Sequence, residues 1–348
     1  MTHLLLERFE LGRVWPTADP FLFCVHHDDN YPPGDEELGP VEPLVGRHLG
    51  MDFSGRDGWS MYHGSLVPGF PQHPHRGFET ISFMRRGFMD HSDSLGAAAR
   101  FGRGDVQWMT AGSGIVHAEM FPLLQDAARN PTELFQIWIN LPLADKLAPA
   151  HFSMLWADGI PVHVALDSEG RGTRVTVVAG ALDGQRAPSP PPDSWASRTD
   201  TDVNIWHLDL DEGASWTMPP AAPGSNRVLY TFDGGALRLT SPTAPEPEEL
   251  TDGHGALVAG HEPVTITDIA GGSQALVLQG KPIGEPVIQY GPFVWTDRAG
   301  IERAYRDYET SGFGGWPWPV NDPNHGHEER RFARHADGRT EEPVAAST

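Results

Sequence analysis

Glycine and proline interrupt this chain 39 and 32 times in 348 residues. Few stretches can therefore run far as helix, where an interior proline costs about 3 kcal/mol and a glycine about 1 kcal/mol. Short strands joined by turns suit such punctuation better. Between Ser60 and Leu141 the runs TISFM, DVQWM, GIVHAEM and LFQIWINL alternate with turn residues, at the spacing of an antiparallel barrel or sandwich. A second set follows at Val162–Leu166, Arg174–Ala179, Asn204–Leu210, Arg227–Phe232, Ala236–Thr240, Val264–Ile269 and Ala275–Gln279. Two β sets of similar size, in a chain longer than one usual domain, predict an all-β protein with a few short helices.

The expected domains are a first barrel over residues 1–145, a second over 146–297, a helix and extension over 298–324, and a disordered, charged tail over 325–348. The first barrel should begin with strands at Leu4–Glu10 and Phe21–Val25. Residues 30–60 hold no sustained period of 2 or 3.6, which predicts a long loop. The Pro-rich APSPPPDSW at 187–195 reads as a loop or rigid arm. A short helix is expected over Ala144–Ala148. A longer amphipathic one is expected over 298–311, where Ile301, Ala304, Tyr305 and Tyr308 share a face and Gly312 supplies the stop.

Charge and cysteine usage exclude some function classes. The formal charge of −22 repels polyanions, so direct nucleic-acid binding is disfavoured. The single cysteine, Cys24, excludes an intrachain disulfide framework and suits a reducing compartment. The start MTHLLLERFELGR lacks the basic region and unbroken apolar core of a secretory signal. No stretch approaches the roughly 20 apolar residues that span a bilayer. A soluble, cytoplasmic protein without membrane partners is expected.

Chemistry concentrates in two short segments. In GFPQHPHRGFETISF, residues His73, His75 and Glu79 have one parity, which on an extended strand means one face. In GSGIVHAEM, His117 and Glu119 form a second i, i+2 pair. A lone strand histidine is usually a satisfied core or surface residue. Two such pairs on neighbouring strands are different, because burying them costs several kcal/mol unless something compensates. A divalent first-row metal would do so through imidazole nitrogens and a carboxylate. Glu79 and Glu119 both have the required parity for that carboxylate. Trp108, Met109, Gln136 and Trp138 are candidates to line the pocket, with the inward parity of FQIWINL open. The segment Asp90–Asp93 has an ordinary reading as a loop.

The blocks FPQHPHRGFETI, DHSDSLG, GDVQWMTAGSGIVHAEM, LFQIWINLP and EPVIQYGPFV, in this order over about residues 67–312, resemble the signature blocks of the pirin family. The resemblance implies two tandem cupin (jelly-roll) β-barrels. It also implies an iron, as Fe(II), held in the N-terminal barrel by His73, His75, His117 and Glu119, in a site able to take Mn, Ni, Co, Cu or Zn instead. Against the general cupin pattern, His73, His75 and Glu79 fit the first block, whereas Thr110 stands where proline is usual in the second. Glu79 therefore remains a competing carboxylate, or a partner that fixes a ligand imidazole. The second barrel has no histidine in SWTMPPAAPGSNRVLYTF and is expected to be metal-free. Two functions follow from the resemblance. One is a dioxygenase (a quercetinase) acting on a small aromatic flavonol such as quercetin, with Glu119 or Glu79 taking the enol proton. The other is a redox-sensing regulator that binds a transcription factor or enzyme partner through the iron-bearing domain. The loop at 30–60 is longer than the usual pirin stretch between Asp19–Phe21 and the HPH segment.

Overall fold

The computed structural model describes residues 3–343. Among these the one α-helix is Arg298–Ser311, and strands make up most of the regular structure. The chain divides into two compact units. One takes Met1–Val25, Ile137–Asn140 and Gly159–Gly284; the other takes His26–Gln136, Leu141–Asp158 and Glu285–Thr348.

In the first of these, a seven-stranded sheet runs in the order Leu5–Glu10, His254–Val258, Asn226–Gly234, Ser273–Gly280, Asn204–Leu210, Gly172–Ala179, Val162–Leu166. A four-stranded sheet comprises Ser215–Met218, Val264–Asp268, Ala236–Thr240 and Glu248–Thr251. Period-2 alternation decides what is buried. In NIWHLDL, residues Trp206, Leu208 and Leu210 enter the core, and in ALRLT Leu237 and Leu239 do so while Arg238 stays outside. Trp216, Met218, Leu229, Ile266 and Val277 complete the same apolar cluster.

In the second, a six-stranded sheet runs Thr340–Glu341, Phe332–Arg334, Ala98–Gly102, Phe88–Asp93, Ile115–Met120, Gly69–His75. Another sheet runs His151–Leu155, Asp105–Thr110, Phe78–Arg86, Asn130–Asn140, Phe21–Tyr31, and its last two strands carry the chain across the division between units. Met84, Met89, Phe101, Phe121, Leu134 and Phe152 form an apolar core here. At Gly77 the chain leaves one sheet for the other. Its φ of +87° and a would-be Cβ only 2.2 Å from the Val294 carbonyl oxygen leave room for glycine alone.

The all-β architecture is present, and so are the expected second-set strands. The long loop is present too, tied down where Arg47 bonds Asp52 at 2.9 Å and stacks on Trp59 at 3.3 Å. The helix at 298–311 starts on Asp297, whose side chain accepts from the Gly300 N–H, and stops at Gly312 in the left-handed conformation.

Three expectations are corrected. The strand Leu5–Glu10 does not join the barrel that follows it in sequence, so the division falls elsewhere than at residue 145. It pairs antiparallel with His254–Val258, a strand missed because its glycine-rich flanks resemble turns. Ala144–Ala148 forms turns instead of a helix. Five residues before a proline cannot repay helix nucleation, and Lys146 is drawn inward to donate to the Gly77 carbonyl at 2.8 Å. The tail from 325 is not without structure, since Phe332–Arg334 adds a strand to the edge Ala98–Gly102. Residues 344–348 of that expected tail lie outside the described residues.

Candidate metal centre

The HPH strand, Gly69–His75, pairs antiparallel with the HAE strand, Ile115–Met120. Directly opposite residues of such a pair project to the same side. The register sets His73 against His117, His75 against Ile115 and Phe70 against Glu119, with an irregularity between Phe70 and His73. Gly69 lets the two strands approach, since a Cβ there would sit 2.4 Å from the Glu119 carbonyl oxygen.

His73, His75 and His117 meet as the register requires. Their ligand-capable atoms all lie within 4.8 Å of one another. Ring centroids are 4.4 Å apart for His73–His117, 4.8 Å for His73–His75 and 4.9 Å for His75–His117. Backbone carbonyls orient two of the rings. His73 Nδ1 lies 2.8 Å from Pro71 O, and His75 Nδ1 lies 3.4 Å from Pro292 O. With the proton held at Nδ1, the lone pair of each ring lies on Nε2, the form in which imidazole binds a metal.

Burial holds all three rings neutral. It pushes His73 down to about 4 and takes His75 and His117 well below the ordinary histidine value, with the neighbouring imidazoles adding to the effect at His75 and His117. His117 is fully buried, and neither of its ring nitrogens has a hydrogen-bond partner. An unpartnered buried polar group costs about 1–3 kcal/mol. A divalent cation among the three rings removes that cost, so the donor set fits a first-row metal.

Glu119 stands beside this triad. Its Oε2 is 4.0 Å from His117 Nε2, and its Oε1 is 2.8 Å from the Ser82 hydroxyl. Ser82 Oγ is also 2.6 Å from Gln136 Oε1, and Gln136 Nε2 is 3.4 Å from Glu119 Oε2. Burial raises the Glu119 carboxyl above its ordinary value, and the Ser82 bond opposes that rise.

Glu79 is not brought to this group. Counting by twos from His75 fails at Arg76–Gly77, because the chain turns there and Phe78–Arg86 belongs to the other sheet. In that strand Glu79 lies opposite Thr110, whose hydroxyl donates to it at 2.6 Å, whereas Ser82 lies opposite Gln107. Glu79 and Ser82 thus face opposite sides, and Ser82 is the one that reaches Glu119. Trp108 shares the Glu79 side; Met109 and Gln107 share that of Ser82.

The segment read as a loop, DHSD, is a buried strand, Phe88–Asp93, paired with the HAE strand. His91 sits opposite Glu119 and Asp93 opposite His117. His91 Nε2 lies 3.2 Å from Asp93 Oδ2, and its ring stacks on Phe152 at 5.1 Å and 4°. Its Nδ1 is buried without a hydrogen-bond partner, as are both polar atoms of the Gln107 amide. His91 and Asp93 repeat the i, i+2 spacing of the other pairs, which was the available signal. Gln136, one of the candidates to line the pocket, reaches Glu119, and Ser82 carried no signal, because a single polar residue in an apolar run does not reveal its parity.

Among the described residues, His73, His75 and His117 are the only set of three or more histidine, cysteine, aspartate or glutamate side chains gathered closely enough to hold a metal. No helix is long and apolar enough to cross a membrane among the same residues.

Comparison with known proteins agrees with this geometry. Residues 12–139 match the Pirin family, and residues 205–314 match the pirin C-terminal cupin domain. A Pseudomonas aeruginosa protein provisionally named quercetin 2,3-dioxygenase is 39% identical over 242 residues, which are 70% of this chain and 79% of that protein. Mouse pirin is 31% identical over 260 residues, covering 73% and 81% of the two chains. The crystal structure of quercetin 2,3-dioxygenase from Acinetobacter baumannii superposes with a TM-score of 0.67 at 25% identity, over 90% of this chain and 98% of that one. With both family domains matched in order and relatives alike over more than two thirds of their length, this chain belongs to the pirin family and has the cupin fold of that family.

Proposed function

We propose that this protein is an iron-dependent dioxygenase that opens the ring of a flavonol-like enol, with its metal held by His73, His75 and His117 and by Glu119 as the carboxylate. The observation that carries the reading is the buried triad of neutral imidazoles, in which His117 has no partner of its own. The relatives named for quercetin 2,3-dioxygenase support the substrate class. A bound divalent metal supplies Lewis acidity that favours the enolate over the enol.

The remaining work falls to the chain. Glu119 is the group that takes the enol proton, and its surroundings accommodate both of its states. When Glu119 is ionised, the Ser82 hydroxyl donates to Oε1; when it is protonated, Oε1 donates to Ser82, which then donates to Gln136 Oε1. His91 Nδ1 and the Gln107 amide offer unpartnered polar atoms to a hydroxylated aromatic ligand. The apolar residues beside them, Met109 and Phe152, exclude water.

The test is aerobic incubation of iron-loaded protein with quercetin, following loss of flavonol absorbance and oxygen uptake together. The expected result is coupled turnover that His117→Ala abolishes. Turnover no greater than that of free iron, with the site fully loaded, would remove the assignment for this substrate.

A further inference from the structure

The segment after the C-terminal family match, which ends at residue 314, is tied to the strands that carry the triad. Gln72, the residue before His73, is bonded twice to Asn321. Its backbone N–H donates to the Asn321 carbonyl at 2.7 Å, and its side-chain amide donates to Asn321 Oδ1 at 2.7 Å. Trp318 Nε1 donates to the Asp93 carbonyl at 2.8 Å, and His325 Nε2 donates to the His91 carbonyl at 2.9 Å. The His325 backbone N–H donates to Asp90 Oδ2 at 2.8 Å. Asp90 is also gripped in fork geometry by the buried Arg100, at 2.7 Å to each oxygen, and the third arm of that guanidinium reaches the Glu328 carbonyl. Arg331 closes the set on Asp105 at 2.8 Å, just before Phe332–Arg334 pairs with the sheet edge.

A cover for an exposed sheet edge would need only that last strand. These contacts go further along the sheet, to the residue adjoining His73 and to the strand whose His91 and Asp93 lie opposite Glu119 and His117. We propose that Trp316–Arg334 is a positioning strap for the metal centre, fixing the HPH strand through Gln72 and the Phe88–Asp93 strand through Asp90 and the His91 and Asp93 carbonyls. The proposal rests on the metal reading given above. Groups that orient ligands in this way typically change metal affinity about 10–100-fold when removed.

The experiment uses the full chain loaded with cobalt(II), measuring its visible ligand-field spectrum and its rate of release to a chelator. Deletion of residues 316–348 should speed release by about 10-fold or more and shift the spectrum. Because that variant could fail to fold, Asn321→Leu and Asn321→Asp accompany it. Asn321→Leu removes the Oδ1 acceptor and should speed release and shift the spectrum in the same direction; Asn321→Asp keeps an acceptor and should restore both. A segment that merely stabilises the fold would lower the unfolding midpoint and leave the spectrum of the folded protein alone. Wild-type spectrum and release rate in Asn321→Leu would overturn the strap while leaving the metal site standing. A wild-type protein that takes up no cobalt would overturn both.

Discussion

Both units present strands with alternating inward side chains, and they differ in what those inward positions carry. In one unit the HPH, HAE and DHSD strands turn His73, His75, His117, Glu119 and His91 inward. In the other, inward positions hold Trp206, Trp216, Met218, Leu229, Leu237 and Ile266. The second interior is stabilised by the burial of that apolar surface, at roughly 25 cal/mol per Å². The first gives up part of that term for polar atoms left without partners. The proposed function rests on a few inward residues of one unit.

The largest expected effect follows from emptying the polar interior. His117→Ala should weaken metal binding by well over about 100-fold, read by equilibrium dialysis, with far-ultraviolet circular dichroism unchanged. Next comes the apolar interior: Leu229→Ala should lower stability by about 2–5 kcal/mol and leave metal stoichiometry untouched. Loss of metal in that variant, at a temperature where it remains folded, would dissolve the contrast between the units. Smaller again, Gln136→Leu should weaken metal binding by about 10-fold by releasing the Glu119 carboxylate, whereas Glu79→Gln should have no such effect. The reverse order would return the carboxylate role to Glu79.

The smallest effect is in pH. Because burial holds His73 near 4, protons should not compete with metal between pH 8 and about 5.5, and affinity should fall only as pH approaches 4. The metal-free protein should behave differently in stability. In the folded chain His73, His75 and His117 titrate below the unfolded value, so at these three the unfolded chain binds more protons between about 6.5 and 4. Stability then declines as pH falls through that window. Chemical denaturation at stepped pH checks the sign.

How much of this was legible in the sequence depends on the range of the interaction. Alternation and turn residues located many of the strands of both units, and helical spacing with a glycine stop located the helix, because those signals are local. The pairing of Leu5–Glu10 with His254–Val258 was not legible, since strand partners so far apart in the chain leave no mark on either segment. The triad was legible because each i, i+2 pair lies within one strand. Glu79 was misread for the same reason turned around: parity holds only while the strand continues, and Gly77 ends it. His91 and Asp93 were visible as letters, but their partner, the HAE strand, is a tertiary fact. The part of the proposed strap from residue 325 was hidden by its composition, since a charged, small-residue segment resembles a disordered tail until Asp90, Arg100 and Asp105 are seen to bind it.

The most direct test of the central claim is metal stoichiometry by elemental analysis after loading and desalting, on wild type and on the double variant His75→Ala with His117→Ala. The account predicts one metal per chain in the wild type and none in the folded double variant. Two metals per chain, or full occupancy retained in the double variant, would contradict it.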